Sequence, residues 1–237
     1  MIILHVTDLH LNERWFRWLA DTAPMSDLLC ISGDVLDRDS PVLHLEQVGL
    51  VAEWLRDIKR PIGLCSGSHD LEWDARYECW RPARWLSGPV AARVWGDGDN
   101  FELQGHHFSS ISSTTYPKGG PADFWITHTP PSGLAVGRDD LGVDHGEIAL
   151  AHAASIHRPT AVFCGHVHQP VSWFHRHEGV MYLNPGHTRG ARFPNHILFD
   201  TKTHDARIVL DSPIGARSEP ARWATTFADT DAELFVA

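Results

Sequence analysis

A chain of 237 residues, 43% apolar and 21% charged, is long enough for one sizeable core and too apolar to be largely disordered. Its 30 acidic residues outnumber 20 basic ones, and the formal net charge of -10 repels a phosphate backbone at long range, which argues against a nucleic-acid polymer as partner. No apolar run approaches the about 20 residues that cross a bilayer, so no membrane association is expected. The N-terminus lacks a basic segment and a small-residue cleavage site, so it does not read as a signal peptide. The four cysteines (Cys30, Cys65, Cys79, Cys164) form no CxxC pair. They fit reduced thiols of a cytoplasmic protein better than a disulfide framework.

In chain order, Ile2–Val6 reads as the first strand and runs into Thr7-Asp8-Leu9-His10. Asp27–Ser32 is a second, ending at Gly33-Asp34, and Leu43–Ile58 has helical apolar spacing closed by Pro61. Ile62–Ser66 is a third strand, ending at Gly67-Ser68-His69-Asp70. Arg93–Ser113 reads as a hairpin turning at Gly96-Asp97-Gly98-Asp99-Asn100. Phe124–Thr127 runs into His128, Glu147–His157 reads as a helix closed by Pro159, and Ala161–Cys164 runs into Gly165-His166. Val171–Leu183, Asn195–Thr201 and Ala206–Leu210 read as antiparallel strands. The early strands are apolar throughout, as in sheets covered on both faces, so the fold class is α/β with mixed sheets. The organisation expected is a single domain over residues 1–211 and a C-terminal surface tail over 212–237.

Five polar clusters fall just after predicted strands, where ligands of open α/β sheets bind. They hold Asp8 and His10, Asp34 and Asp37, His69 and Asp70, His128, and His166 and His168. Among 17 histidines a single Asp-x-His is a weak signal, and Gly33-Asp34 alone is an ordinary turn. The order of all five carries the metal reading. A nitrogen and oxygen donor set without cysteine suits Mn, Fe, Zn or Co. Residues two apart on an extended strand point the same way, so Asp8/His10 and His166/His168 each can chelate from one loop.

With Asp8-Leu9-His10, Gly33-Asp34-Val35-Leu36-Asp37, Gly67-Ser68-His69-Asp70, His128 and Gly165-His166-Val167-His168 in this order, the sequence resembles the calcineurin-like metallophosphoesterase family. Tyr182-Leu183-Asn184-Pro185-Gly186 resembles a further turn of that family. The resemblance implies a four-layer α/β/β/α sandwich of two mixed β-sheets with a dinuclear metal centre at one edge. It implies that Asp8, His10, Asp34 and His168 hold one metal ion, and that Asp34, His128 and His166, with the residue at Ser68, hold the other. It also implies a transferring histidine in His69; in the branch that includes the protein phosphatases Asp37 would orient it and Arg38 hold phosphate, whereas outside that branch Arg38 reads equally as a surface residue.

The chemistry expected is hydrolysis of a small phosphodiester or phosphomonoester, with a nucleotide among the candidates. Two transition-metal ions (Mn, Fe or Zn) about 3.5–4 Å apart clamp the phosphoryl oxygens while a bridging hydroxide attacks in line. Ser68 departs from the family's Asn, which reaches a metal with its carbonyl and substrate with its amide. Serine is too short for both, so a weaker second site is expected, and the alternative is a catalytically weakened binding or scaffold protein. Leu11 and Asp39 stand where protein phosphatases of the family carry Gly, which makes that branch a poor match. Substrate choice is expected in the loops over 71–92 and 114–123. The ten tryptophans read as core packing, although one or two between Trp73 and Trp85 are placed to wall a pocket. His175 and His177 are expected to face solvent and His106 and His107 to be structural or exposed; His187, after Asn184-Pro185-Gly186, reads first as a plain turn histidine and second as one that approaches the site.

Overall fold

The computed structural model describes residues 1–87, 91–112, 122–211 and 216–220. Most of the expected substrate loop over 114–123, and most of the segment after 212, lie outside these residues. The strands are β1 (Ile2–Val6), β2 (Leu28–Ser32), β3 (Ile62–Cys65), β4 (Glu72–Asp74), β5 (Cys79–Arg81), β6 (Val94–Trp95), β7 (Asn100–Leu103) and β8 (His106–Ile111). They continue with β9 (Phe124–Thr127), β10 (Ala161–Phe163), β11 (Phe174–His177), β12 (Val180–Leu183), β13 (His196–Asp200), β14 (Asp205–Leu210) and β15 (Arg217–Pro220). The helices are α1 (Glu13–Thr22), α2 (His44–Asp57) and α3 (Ile148–His157).

A seven-stranded mixed sheet runs β15-β14-β13-β1-β2-β3-β6, and a six-stranded one runs β11-β12-β10-β9-β8-β7. Strand alternation assigns their faces. In β1 and β2, Ile3, Leu28 and Cys30 join the cluster between the sheets, while Leu4, Val6, Leu29 and Ile31 join the one beneath α1 and α2. In β9 and β10, Phe124, Ile126 and Phe163 face the first sheet, while Trp125 and Val162 face Leu150 and Ala154 of α3. The result is the expected α/β/β/α sandwich. At Gly63 of β3 the two sheets approach so closely that a Cβ would lie 2.6 Å from Ile126 and 2.9 Å from Phe101.

Several local expectations need correction. The hairpin over 93–113 turns at Gln104-Gly105, not at Gly96–Asn100. Gln104 and Gly105 have φ of 50° and 78°, the two-residue turn that matches strand twist, and Leu103 pairs with His106 across it. Gly96–Asp99 instead carries the chain from one sheet to the other, between β6 and β7. Helix α1 was not expected, although its signals are present. The Asn12 side chain accepts the Trp15 N–H as N-cap, Glu13 sits in the first turn, and Trp15, Phe16 and Leu19 are buried on one face. His175 and His177 are half-buried, not solvent-facing, because β11 lies beside the loop after β9 and His175 Nδ1 accepts the Ala135 N–H. Trp73 and Trp80 lie outside the core on the β4–β5 hairpin, with exposures of 53% and 41%. The exposed strand β15 pairs with β14 inside the stretch expected as a surface tail. No helix among the described residues is long and apolar enough to cross a membrane.

Candidate metal centre

The loops after β1 and β2 are zipped together by backbone hydrogen bonds from Asp8 N to Gly33 O, His10 N to Asp34 O and Leu11 N to Val35 O, at 2.9–3.1 Å. To hold that geometry Asp8, His10, Leu11 and Asp34 all take left-handed φ, between 43° and 52°, and His166 does so at 69°. Such backbone persists only where the surroundings over-determine it, and it concentrates at functional sites. Gly67 packs directly on the Asp34 carboxylate, where a Cβ would lie 2.2 Å from Oδ1.

Asp70 ties the third loop to the second. Its buried Oδ1 accepts the N–H groups of Val35 and Leu36, and its Oδ2 accepts that of Gly67. Burial, then the neighbouring Asp34 charge, pushes its carboxyl up to about 7. From the second sheet, Gly165 N donates to His128 O, and His166 N donates to Asp8 Oδ2 at 3.2 Å. Asn184, fully buried, fixes that loop by donating to the carbonyls of Val136, Gly165 and Val167. Sequence reasoning noted its turn but missed this role. A polar residue directly before Pro-Gly and after an apolar strand was the available signal.

The side chains converge. Asp8, His10 and His168 each offer one donor atom within 4.8 Å of the others, as do Asp8, Asp34 and His128, and His10, Asp34 and His69. His168 Nε2 lies 3.4 Å from Asp8 Oδ1 and 3.3 Å from His10 Nε2. His166 stands edge-on to His128 with ring centroids 5.1 Å apart, outside those three groups among the described residues. Ser68 opens the short turn over Ser68–Asp70 and is half-buried; its carbonyl accepts the Arg38 guanidinium. His187 does approach, donating from Nδ1 to Asp8 O at 2.9 Å with its ring 4.8 Å from that of His168.

Metal ions fit this set. Two fully buried atoms that face its centre, Asp8 Oδ1 and His128 Nε2, have no hydrogen-bond partner. His128 Nδ1 donates to Ser32 O at 2.8 Å, which leaves the Nε2 lone pair facing Asp34 Oδ2 at 3.3 Å. Two electron pairs face each other comfortably only with a cation or proton between them. The electrostatics agree. Burial opposes the charge on Asp34 and Asp8, but the adjacent histidines hold both carboxyls below the usual range. Burial likewise opposes a charged His128, yet the Asp34 carboxylate pushes it up to about 10, so the site draws positive charge. Burial lowers His10 and, with the His128 charge, brings His166 down to about 4, which leaves both as neutral donors.

Beside the cluster, His69 Nδ1 accepts the Arg38 backbone N–H at 3.0 Å, so its ring proton sits on Nε2. Asp37 Oδ1 lies 3.7 Å from the same nitrogen and accepts the Asp39 N–H. The hydrogen bond that sets the ring therefore comes from the backbone of Arg38. Gln47 of α2 pins this loop, donating to Asp37 O and accepting Asp37 N–H, both at 2.8 Å.

The sequence profile of the calcineurin-like phosphoesterase superfamily domain matches residues 1–204. No curated protein sequence is detectably similar to the chain. Among solved structures, TT1561 of Thermus thermophilus superposes with a TM-score of 0.59 at 12% identity, covering 93% of this chain and 99% of that one. Purple acid phosphatase PPD1 from yellow lupin (Lupinus luteus) seeds superposes with a TM-score of 0.52 at 11% identity, covering 88% of this chain and 51% of that one. At these identities the likeness is one of fold. On the profile match, which spans all five polar clusters, the chain belongs to the calcineurin-like phosphoesterase superfamily.

Proposed function

We propose that this protein hydrolyses small phosphate esters with two transition-metal ions. Asp8, His10, Asp34 and His168 hold one ion, and Asp34, His128 and His166, with Ser68 alongside, hold the other. The observation that carries the reading is the pair of buried ligand atoms left without a hydrogen bond, Asp8 Oδ1 and His128 Nε2, in one group with Asp34. When bound, two such ions lower the pKa of water and neutralise charge on phosphoryl oxygens. The chain's own residues do the rest. Asp34 offers one carboxylate to both positions. His69 presents Nε2–H to the leaving oxygen as a hydrogen-bond donor that stabilises its developing charge, with its orientation preset by Arg38 N–H. Arg38, held at the Ser68 carbonyl, supplies a fixed positive charge to the phosphate.

The test is metal analysis of the purified protein together with hydrolysis of bis-p-nitrophenyl phosphate under added Mn²⁺, set beside a His69→Ala variant. Stoichiometric metal with no hydrolysis of any phosphate ester sinks the proposal. Ser68 favours a second reading, a binding protein with a weak second metal position, because its hydroxyl does not replace an amide carbonyl as ligand. Turnover that His69→Ala abolishes decides against that reading.

A further inference from the structure

Among the described residues the exposed aromatic side chains are Trp73, Tyr77 and Trp80, and all three stand on the β4–β5 hairpin. Neither tryptophan belongs to a core cluster. Two strands of three residues gain little stability of their own, so exposed indoles there are not explained by folding. The hairpin is nevertheless anchored. Arg81 Nε lies 3.2 Å from Asp74 Oδ2, Arg84 N donates to Glu72 Oε1, and Trp85 Nε1 donates to Asp70 O at the hairpin's root.

Its aromatic face is continuous with the candidate metal centre. Trp73 and Trp80 are directly opposed across the strands, with ring centroids 5.1 Å apart. The Arg38 guanidinium lies 3.9 Å over the Trp80 ring and also bonds the Ser68 carbonyl, while the Arg38 backbone N–H bonds His69. A second cation, Arg81, lies 4.8 Å over Tyr77. Path and charge agree: a guanidinium suited to phosphate, then a clamped indole, then an open indole, on a chain whose overall charge is -10. An alkyl ester would leave Trp73 in water. A planar ring attached to the phosphate would cover it.

We infer that the Trp73–Trp80 pair is a stacking platform for an aromatic ring, nucleobase or aryl, carried by a phosphate ester whose phosphate lies at the candidate metal centre. The placement of that phosphate rests on the function proposed above. Trp73 determines specificity by offering the open face, and Trp80 is a positioning residue that holds Arg38.

The test is calorimetric binding of adenosine 5′-monophosphate, phenyl phosphate and methyl phosphate to the full-length, Mn²⁺-loaded protein and its Trp73→Ala and Trp73→Phe variants. The wild type should prefer the two ring-bearing esters. Trp73→Ala should weaken them about tenfold more than methyl phosphate, and Trp73→Phe should recover most of the difference. A nucleobase platform binds the adenosine ester more tightly than the phenyl one, and a general aryl platform binds them alike. Equal weakening of all three ligands, or no ring preference in the wild type, overturns the inference. So does a dimer in sedimentation that Trp73→Ala dissociates while ring preference persists, because the indole then serves self-association. Ring-selective binding without hydrolysis of any ester would defeat the hydrolase reading and leave the platform standing. Hydrolysis without ring preference would do the reverse.

Discussion

Asp34 Oδ1 accepts the backbone N–H of His69 at 2.7 Å, so the carboxylate proposed to be shared by two cations also fixes the turn that presents the His69 ring. Asp34→Asn keeps an acceptor for that N–H but loses the charge. It should lower metal affinity by more than the about 100-fold that marks loss of a residue merely orienting a ligand. Metal content after dialysis checks this, and a fully loaded variant would refute the shared role.

His69→Ala removes a group whose Nδ1 is already engaged by Arg38 N–H and whose Nε2 is left for chemistry. We expect kcat to fall about 10²–10³-fold, the cost of removing one donor to developing charge, with metal content retained. An unchanged kcat would exclude His69 as donor.

Ser68→Asn supplies the side-chain carbonyl that the family carries at this position. It should raise affinity for the second cation and increase turnover about tenfold, the low end of what one supporting group contributes. Isothermal titration with Mn²⁺ and the phosphodiesterase rate are the measurements. If neither moves, serine is not the weak point of the site.

Gly33 has a φ of 87°, and a Cβ there would lie 2.5 Å from His128 Nδ1. Gly33→Ala therefore strains the backbone by about 1–3 kcal/mol and pushes His128 off the Ser32 carbonyl. Both the melting temperature and metal affinity should drop. A loss of stability alone would mean that His128 is not a ligand.

Asp97 stands between β6 and β7 and is not itself one of the candidate ligands. Its Oδ1 accepts Ser66 N–H at 2.7 Å, and its Oδ2 is buried without a partner. Burial pushes its carboxyl from the usual range up to about 6. A raised carboxyl is bound to its proton more tightly in the folded state. Its contribution to stability is therefore full below the unfolded pKa, near 4, and is lost as pH rises through about 6. Asp97→Asn should flatten that slope and stabilise the protein at pH 7 by roughly 1–2 kcal/mol. Urea denaturation at pH 5 and pH 7.5 reads the difference, and a parallel shift at both would contradict it.

The apolar strands were legible because burial on both faces leaves uninterrupted runs such as Leu28–Ser32 and Phe124–Thr127, whose ends mark the binding edge. The convergence of Asp8, Asp34, His128 and His168 was foreshadowed for the same reason, because each stands within four residues of the end of such a run. The β4–β5 hairpin was not. Its tryptophans look like core residues in sequence, since an indole reads the same whether it packs inward or waits for a ligand. The Gln104-Gly105 turn was hidden by the richer Gly-Asp-Gly-Asp stretch, whose carboxylates serve instead to cap the crossover at Ser66 and Gly96. The tethering by Asn184 left only the trace of a polar residue between an apolar strand and Pro-Gly, because the carbonyls it reaches at Val136, Gly165 and Val167 are brought to it by the tertiary fold.

The candidate ligands come from both halves of the sandwich: Asp8, His10 and Asp34 from loops of the seven-stranded sheet, and His128, His166 and His168 from loops of the six-stranded one. A cation seated among them is therefore a rivet through the seam. Free metal at a hundred times its dissociation constant would add about 2.7 kcal/mol to the stability of the whole sandwich. Chelation should release the seam at its upper edge first, seen as faster amide exchange at Ser32 and Thr127 than at the far ends of their strands. For this protein, metal starvation would then lower abundance as well as turnover.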